Sequence, residues 1–260
     1  MVVASRAAPR LPRYVLERAR RAPVPGSGVV AGSTPVVYLG DPARARVATL
    51  GINPPHRQFL DASGRLLTGD RRRLATLDSL GVADPSHLTI QHAAAIVADC
   101  ASYFERHPYH WFETLDEVIR SGLGASYFAG TACHLDLVQW ATTTSWAGLT
   151  PVMQADLLRA DIGFLRRLLD GAGFRAVVVT GRPALRWVQE SGLVTWRRSA
   201  VLPGTPTAGV YTGERGGLRF VGWTCNVQGH AGAAAHAPRL AELAAELAGG
   251  PALASAATAG

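Results

Sequence analysis

Apolar residues gather in four short runs along this chain, at residues 47–50, 131–137, 176–180 and 220–225. Their length and composition predict strands. Patterns with helical spacing lie between and after them, at residues 74–80, 92–106, 150–169, 183–189 and 238–247. Strands alternating with helices predict an α/β fold with a parallel sheet covered on both faces. Tyr38, Leu39 and Gly40 add a candidate edge strand. In such a sheet the site lies beyond the carboxyl ends of the strands. That places Asn53, Asp136, Gly181 and His230 on one rim.

Outside the patterned region the chain changes character. Residues 1–35 are rich in Arg, Pro and Gly, with one helix expected near 14–21, and read as a partly irregular N-terminal arm. Residues 36–248 read as one α/β domain, and 249–260 as an Ala/Gly tail of low complexity. A chain of 260 residues has ample material for a core.

Composition narrows the chemistry. No apolar run is long enough to span a bilayer, and no h-region of a secretory leader is visible. Cys100, Cys133 and Cys225 are far apart and form no CxxC pair. A zinc ribbon or a four-cysteine cluster is therefore not expected, and a reduced cytoplasmic protein is. Net charge is +7, and all 26 basic residues are Arg. Genome composition explains this as readily as a phosphate-binding surface does. The absence of Lys has a sharper consequence. No side chain can form a Schiff base, which excludes lysine-dependent lyase chemistry and a Walker-type phosphate loop.

Several residues could carry chemistry. Asn53, in Gly51-Ile52-Asn53-Pro54-Pro55-His56, is either a turn starter or an amide that orients water or substrate. His134 and Asp136 lie two apart on one expected strand and so share a face. They form either a buried structural pair or a ligand-reading one. His230, between Gly229 and Gly232, is either a solvated loop residue or a group that stabilises developing negative charge. Arg71-Arg72-Arg73 and Arg197-Arg198 are solvated faces or phosphate contacts. The aromatics Tyr103, Phe104, Tyr109, Trp111 and Phe112 suit core packing or base stacking.

The order of these pieces resembles the uracil-DNA glycosylase superfamily. Gly51-Ile52-Asn53-Pro54 resembles the first motif of its mismatch-specific branch. Ala132-Cys133-His134-Leu135-Asp136 resembles the second-strand segment, and residues 176–184 the strand, Gly and helix that follow. Asn226 to Gly232 occupies the place of the His-Pro-Ser loop. The resemblance implies a three-layer α/β/α sandwich around a central four-stranded parallel sheet. It implies hydrolysis of the N-glycosidic bond of a flipped-out nucleotide by a monomer acting on DNA, with no cofactor, metal or membrane. Carried over, Asn53 places the attacking water, Asp136 reads the base edge beside His134, and His230 bonds the departing base. Asp136 is a second candidate for activating the water. Arg57, Arg71, Arg72 and Arg73, with the backbone at Gly229 and Gly232, would contact DNA phosphates. Without Lys the enzyme should leave an abasic site and not cut the strand.

Three departures from the family pattern shape the expected substrate. Asp136 stands where an Asn reads uracil. A carboxylate only accepts, so it disfavours uracil O4 and suits the N4 amino group of cytosine. Pro55 replaces a Tyr whose ring blocks the pyrimidine 5-position. The family's stacking Phe has no evident counterpart; the stretch Gly64-Arg65-Leu66-Leu67 puts Leu where some branches have it, and Phe59 is the substitute considered. Together these imply a 5-modified cytosine, hydroxymethylated or glucosylated as in phage DNA, and a role in anti-phage defence. The alternatives are a repair glycosylase for uracil or another deaminated base, a non-catalytic DNA- or nucleotide-binding α/β module, and a small-molecule hydrolase using Cys133 and His134.

Overall fold

The structure, a computed structural model, describes residues 11–107, 110–202, 205–225, 227 and 236–249, with backbone alone at 205–207. Val47–Gly51 (β1), Ala132–Asp136 (β2) and Ala176–Thr180 (β3) bury nearly all their side chains. Strands covered on both faces need that composition. Arg197–Leu202 (β4), Thr205–Arg215 (β5) and Leu218–Trp223 (β6) complete one sheet in the order β2-β1-β3-β6-β5-β4. The first four strands in that order are mutually parallel, and β5 and β4 continue the sheet antiparallel.

The four expected strands therefore form, but the expected four-stranded parallel sheet is corrected to a six-stranded mixed one. The missing pair is hard to see because β4 opens on two exposed Arg and β5 contains Pro206, Gly209 and Gly213. Pro and Gly inside a run argue against a strand. One local signal was present: Gly216 and Gly217, both at positive φ, close the hairpin from Arg215 to Leu218.

The helices are Arg13–Ala19 (α1), Ile90–Ala101 (α2), Tyr103–Arg106 (α3), Glu113–Leu123 (α4), Pro151–Gly171 (α5), Arg182–Glu190 (α6) and Ala237–Ala248 (α7). The helix expected at 92–106 starts earlier, where the Thr89 hydroxyl accepts from His92 N, and breaks at Ser102. The helix expected at 74–80 reduces to the 3-10 turn Asp78–Leu80. There Thr76 and Ser79 bond each other's backbone, an arrangement that competes with helix. Residues 113–123 carried no expected element, although Leu115, Val118, Ile119 and Leu123 form a helical stripe, and all four are buried. α4 packs on α7, where Gly122 lies so close to the Ala241 carbonyl that a Cβ would collide with it.

Residues 11–35 do not stand apart as an arm. α1 packs on α2 and α5, and Val15, Ala19, Val30 and Thr34 are buried. Arg18 is buried as well. Its Nη2 donates to Asp161 Oδ2 at 2.8 Å and its Nε to Gln139 Oε1 at 3.1 Å. Gln139 in turn donates from its backbone to Asp161 and from Nε2 to the carbonyl of Asp136, both at 2.7 Å. A charge pair this deep is sustained only by such bonds, and this one ties the first helix to the end of β2. The candidate edge at residues 38–40 makes a single antiparallel bridge, Leu39 to His134.

Candidate functional site

A cavity of about 570 Å³ opens at the carboxyl ends of β1, β2 and β3, within the usual range for ligand pockets. Its floor is Thr49, Gly51, His134 and Asp136, and one wall is Ile52 to Gln58. Thr142, Thr144 to Trp146, Thr180, Gly181, Pro183, Ala184, and the aromatic pair Trp111 and Phe112 close the other sides. Asn53, Asp136 and Gly181 thus meet on one rim, as strand order places them. His230, Gly229 and Gly232 lie outside the described residues.

The polar floor follows from strand register. Thr49 faces His134 and Gly51 faces Asp136 across the β1–β2 pair, so all four share one face. His134 Nδ1 lies 2.7 Å from Thr49 Oγ1, which lies 2.6 Å from the Tyr127 hydroxyl. Burial holds the Tyr127 phenol well above its usual range, so it stays a donor. One chain of protons satisfies all three groups: Tyr127 donates to Thr49, and Thr49 donates to His134 Nδ1. That tautomer puts the His134 proton on Nε2, which lies 3.5 Å from Asp136 Oδ1. The distance marks an electrostatic contact more than a hydrogen bond. The Asp136 side chain is 5% exposed, and no described residue gives its carboxylate a hydrogen bond. It is a buried acceptor facing the cavity with capacity to spare.

Asn53 is oriented by a second small network. The Thr142 hydroxyl donates to Thr144 O at 2.8 Å, so toward Asn53 it can only accept. Asn53 Nδ2 donates to it at 3.0 Å, with longer contacts to the carbonyls of Trp140 and Pro54. The amide is thereby fixed nitrogen-inward, and its Oδ1 has no partner among the described residues. A fixed, unpartnered amide oxygen at a cavity wall can accept a hydrogen bond from water or substrate.

The other expected site residues divide. Pro55 is exposed and lines the cavity. Arg57 lines it too, with its guanidinium 4.7 Å from the centre of the Trp111 ring. Phe59 does not. It is 0% exposed in the core and so presents no ring to the cavity, which corrects its place among the site residues; the aromatic rings that line the cavity are Trp111 and Phe112. Phe112 packs edge-on against His134. Local order hides this, because Phe112 lies far from the first motif and reaches the pocket just before α4. Arg71, Arg72 and Arg73 do not line the cavity. Arg72 pairs with Asp99 at 2.6 Å, the carbonyl of Arg73 accepts from Arg106, and Arg71 is exposed.

Cys133 points away from His134 along β2 and is fully buried, and burial pushes its thiol far above the usual range. A nucleophile needs the thiolate, so the Cys133–His134 hydrolase has no support here. Among the described residues, no group of three or more His, Cys, Asp or Glu is placed to hold a metal, and no helix is long and apolar enough to cross a membrane. No family model matches this chain, and no curated protein matches it significantly.

Proposed function

We propose that this protein is a monofunctional DNA glycosylase that hydrolyses the N-glycosidic bond of a flipped-out 5-modified cytosine. The observation that carries this reading is the buried Asp136 carboxylate, which takes no hydrogen bond from the described residues, on the floor of a cavity of about 570 Å³. It suits an exocyclic amino donor and disfavours a carbonyl at the same place. The parallel strands β2-β1-β3-β6 and the helices packed around them fit the three-layer sandwich that the sequence resemblance implies.

In this reading the water is held by Asn53 Oδ1. Its oxygen bonds to the sugar C1′ as the bond from C1′ to the base nitrogen breaks. The electron pair of that bond leaves with the base. The water proton passes to solvent or to the departing base. Trp111 and Phe112 supply aromatic surface beside the base. Pro55, in place of a larger ring, leaves the mouth open for a 5-substituent. Release of such bases would suit a defence against phages that modify their cytosine.

The test is incubation with oligonucleotides carrying cytosine, 5-hydroxymethylcytosine, its glucoside or uracil, with mass spectrometry of the released base. A modified cytosine and an abasic strand are expected. Release of uracil alone would make this a repair glycosylase, and base-dependent binding without any abasic product would make it a binding module. Either outcome overturns the proposal.

A further inference from the structure

The basic pair Arg197-Arg198 plays no part in the cavity. The two residues sit at the start of β4, in the antiparallel extension that strand patterning does not reveal. Arg198 lies opposite Tyr211 on β5, so the two side chains share a face. That face forms one side of a groove whose other side is α6, with Arg182, Arg186 and Gln189. Arg182 lines the groove, and its chain neighbours Gly181 and Pro183 line the cavity. The groove and the cavity therefore meet the same short segment, Gly181 to Pro183, at the start of α6.

Its walls are built to hold shape. The Trp196 indole N–H donates to the Leu185 carbonyl at 2.9 Å, which locks the entry to β4 onto α6. Gly213 and Gly222 leave the space that Val194, Trp196 and Leu185 fill, where any Cβ would collide. The Tyr211 ring lies back against Gly209, and the residue is half-exposed.

Charge points to the occupant. Arg182, Arg186 and Arg198 are exposed on the groove. Arg182 and Arg198 have no ion-pair partner among the described residues; Arg186 pairs with Glu190 at 3.3 Å and lies over the Trp187 ring, both at an exposed site where such a pair holds weakly. Arg guanidinium groups recognise phosphate with two parallel bonds, and a half-exposed Tyr offers a flat surface to a sugar or base.

We propose that the groove between α6 and the β4–β5 extension carries the phosphodiester backbone of the DNA strand whose nucleotide enters the cavity. This rests on the glycosylase reading for its choice of DNA, and not for the groove's affinity for a polyphosphate chain. Arg186 and Arg198 each neutralise one phosphate, and Arg182 marks the turn into the cavity.

The experiment is fluorescence anisotropy of labelled, unmodified single-stranded and duplex oligonucleotides across a salt series. Arg186→Ala/Arg198→Ala is compared with Arg13→Ala/Arg239→Ala, which removes the same net charge from α1 and α7. All four side chains are exposed or largely so, and thermal melts confirm that both variants fold. The groove variant should bind about tenfold or more weakly, with its log–log salt slope reduced by about 2, while the control stays near wild type. Equal affinity and slope in the two variants would overturn the groove. The two proposals fail separately. Base release with an unchanged groove variant removes the groove alone, and a reduced slope with no base released from any oligonucleotide removes the glycosylase alone.

Discussion

A Cβ on Gly51 would stand 2.5 Å from Asp136 Oδ1 and 3.1 Å from His134 Nε2. Gly51 is therefore glycine because two polar side chains from the neighbouring strand lean over it. Its φ is not among the positive ones, so steric crowding and not backbone freedom sets the requirement. Gly51→Ala should push Asp136 off the cavity floor. The expected cost is about 1–3 kcal/mol of stability, with a larger loss in base release than in thermal melting temperature. Full activity in a folded Gly51→Ala protein would remove Asp136 from the site.

Asn53→Ala should lower single-turnover base release by about 10²-fold or more, with the melting temperature little changed. Thr142→Val should give a smaller loss, because the amide stays but its orientation is no longer fixed. If the Thr142 variant matches wild type, the amide is not held by this network.

Asp136→Asn converts a pure acceptor into a group that also donates. Preference should move from cytosine-type toward uracil-type bases, by about 1–3 kcal/mol in relative kcat/KM. Competition assays with paired oligonucleotides measure it. An unchanged preference would assign base reading elsewhere.

Arg18→Ala leaves Asp161 buried without its cation, and the expected destabilisation is about 3–5 kcal/mol. Urea unfolding of Arg18→Ala, Asp161→Ala and the double variant measures the coupling, and the double should lose less than the sum. Gln139 links this pair to the carbonyl of Asp136. Base release by Arg18→Ala should therefore fall even where the protein remains folded.

Burial pushes the Cys100 thiol from 9.0 up to about 12, and holds the Cys133 thiol and Tyr127 phenol high as well. Each is neutral when protonated and titrates at lower pH once unfolded. The thiols' stabilisation is complete below about pH 9 and the phenol's below about pH 10, and each then falls as pH rises, at about 1.4 kcal/mol per pH unit per group. Urea midpoints should fall steadily from pH 9 to 11. A flat profile there would mean that these groups are not buried.

The sequence by itself determined where the central strands lie. A strand covered on both faces must be apolar throughout, so 47–50 and 176–180 announce themselves locally. It also placed Asn53 and Asp136 on a common rim, since loops leaving parallel strands gather at one end of the sheet. Tertiary structure decided what depends on distant neighbours. Phe59 is core and Phe112 lines the pocket, because helix placement settles which aromatic reaches the cavity and side-chain type does not. Arg18 reads as one arginine in a basic N-terminal arm, yet it is buried because Asp161, far along the chain, meets it. The β4–β5 extension escaped because edge strands carry charge, Pro and Gly, and are held by pairing with β6 more than by their own pattern. Gly51 looks in the sequence like a turn residue; only the register of β1 on β2 shows that it makes room for the acid beside it.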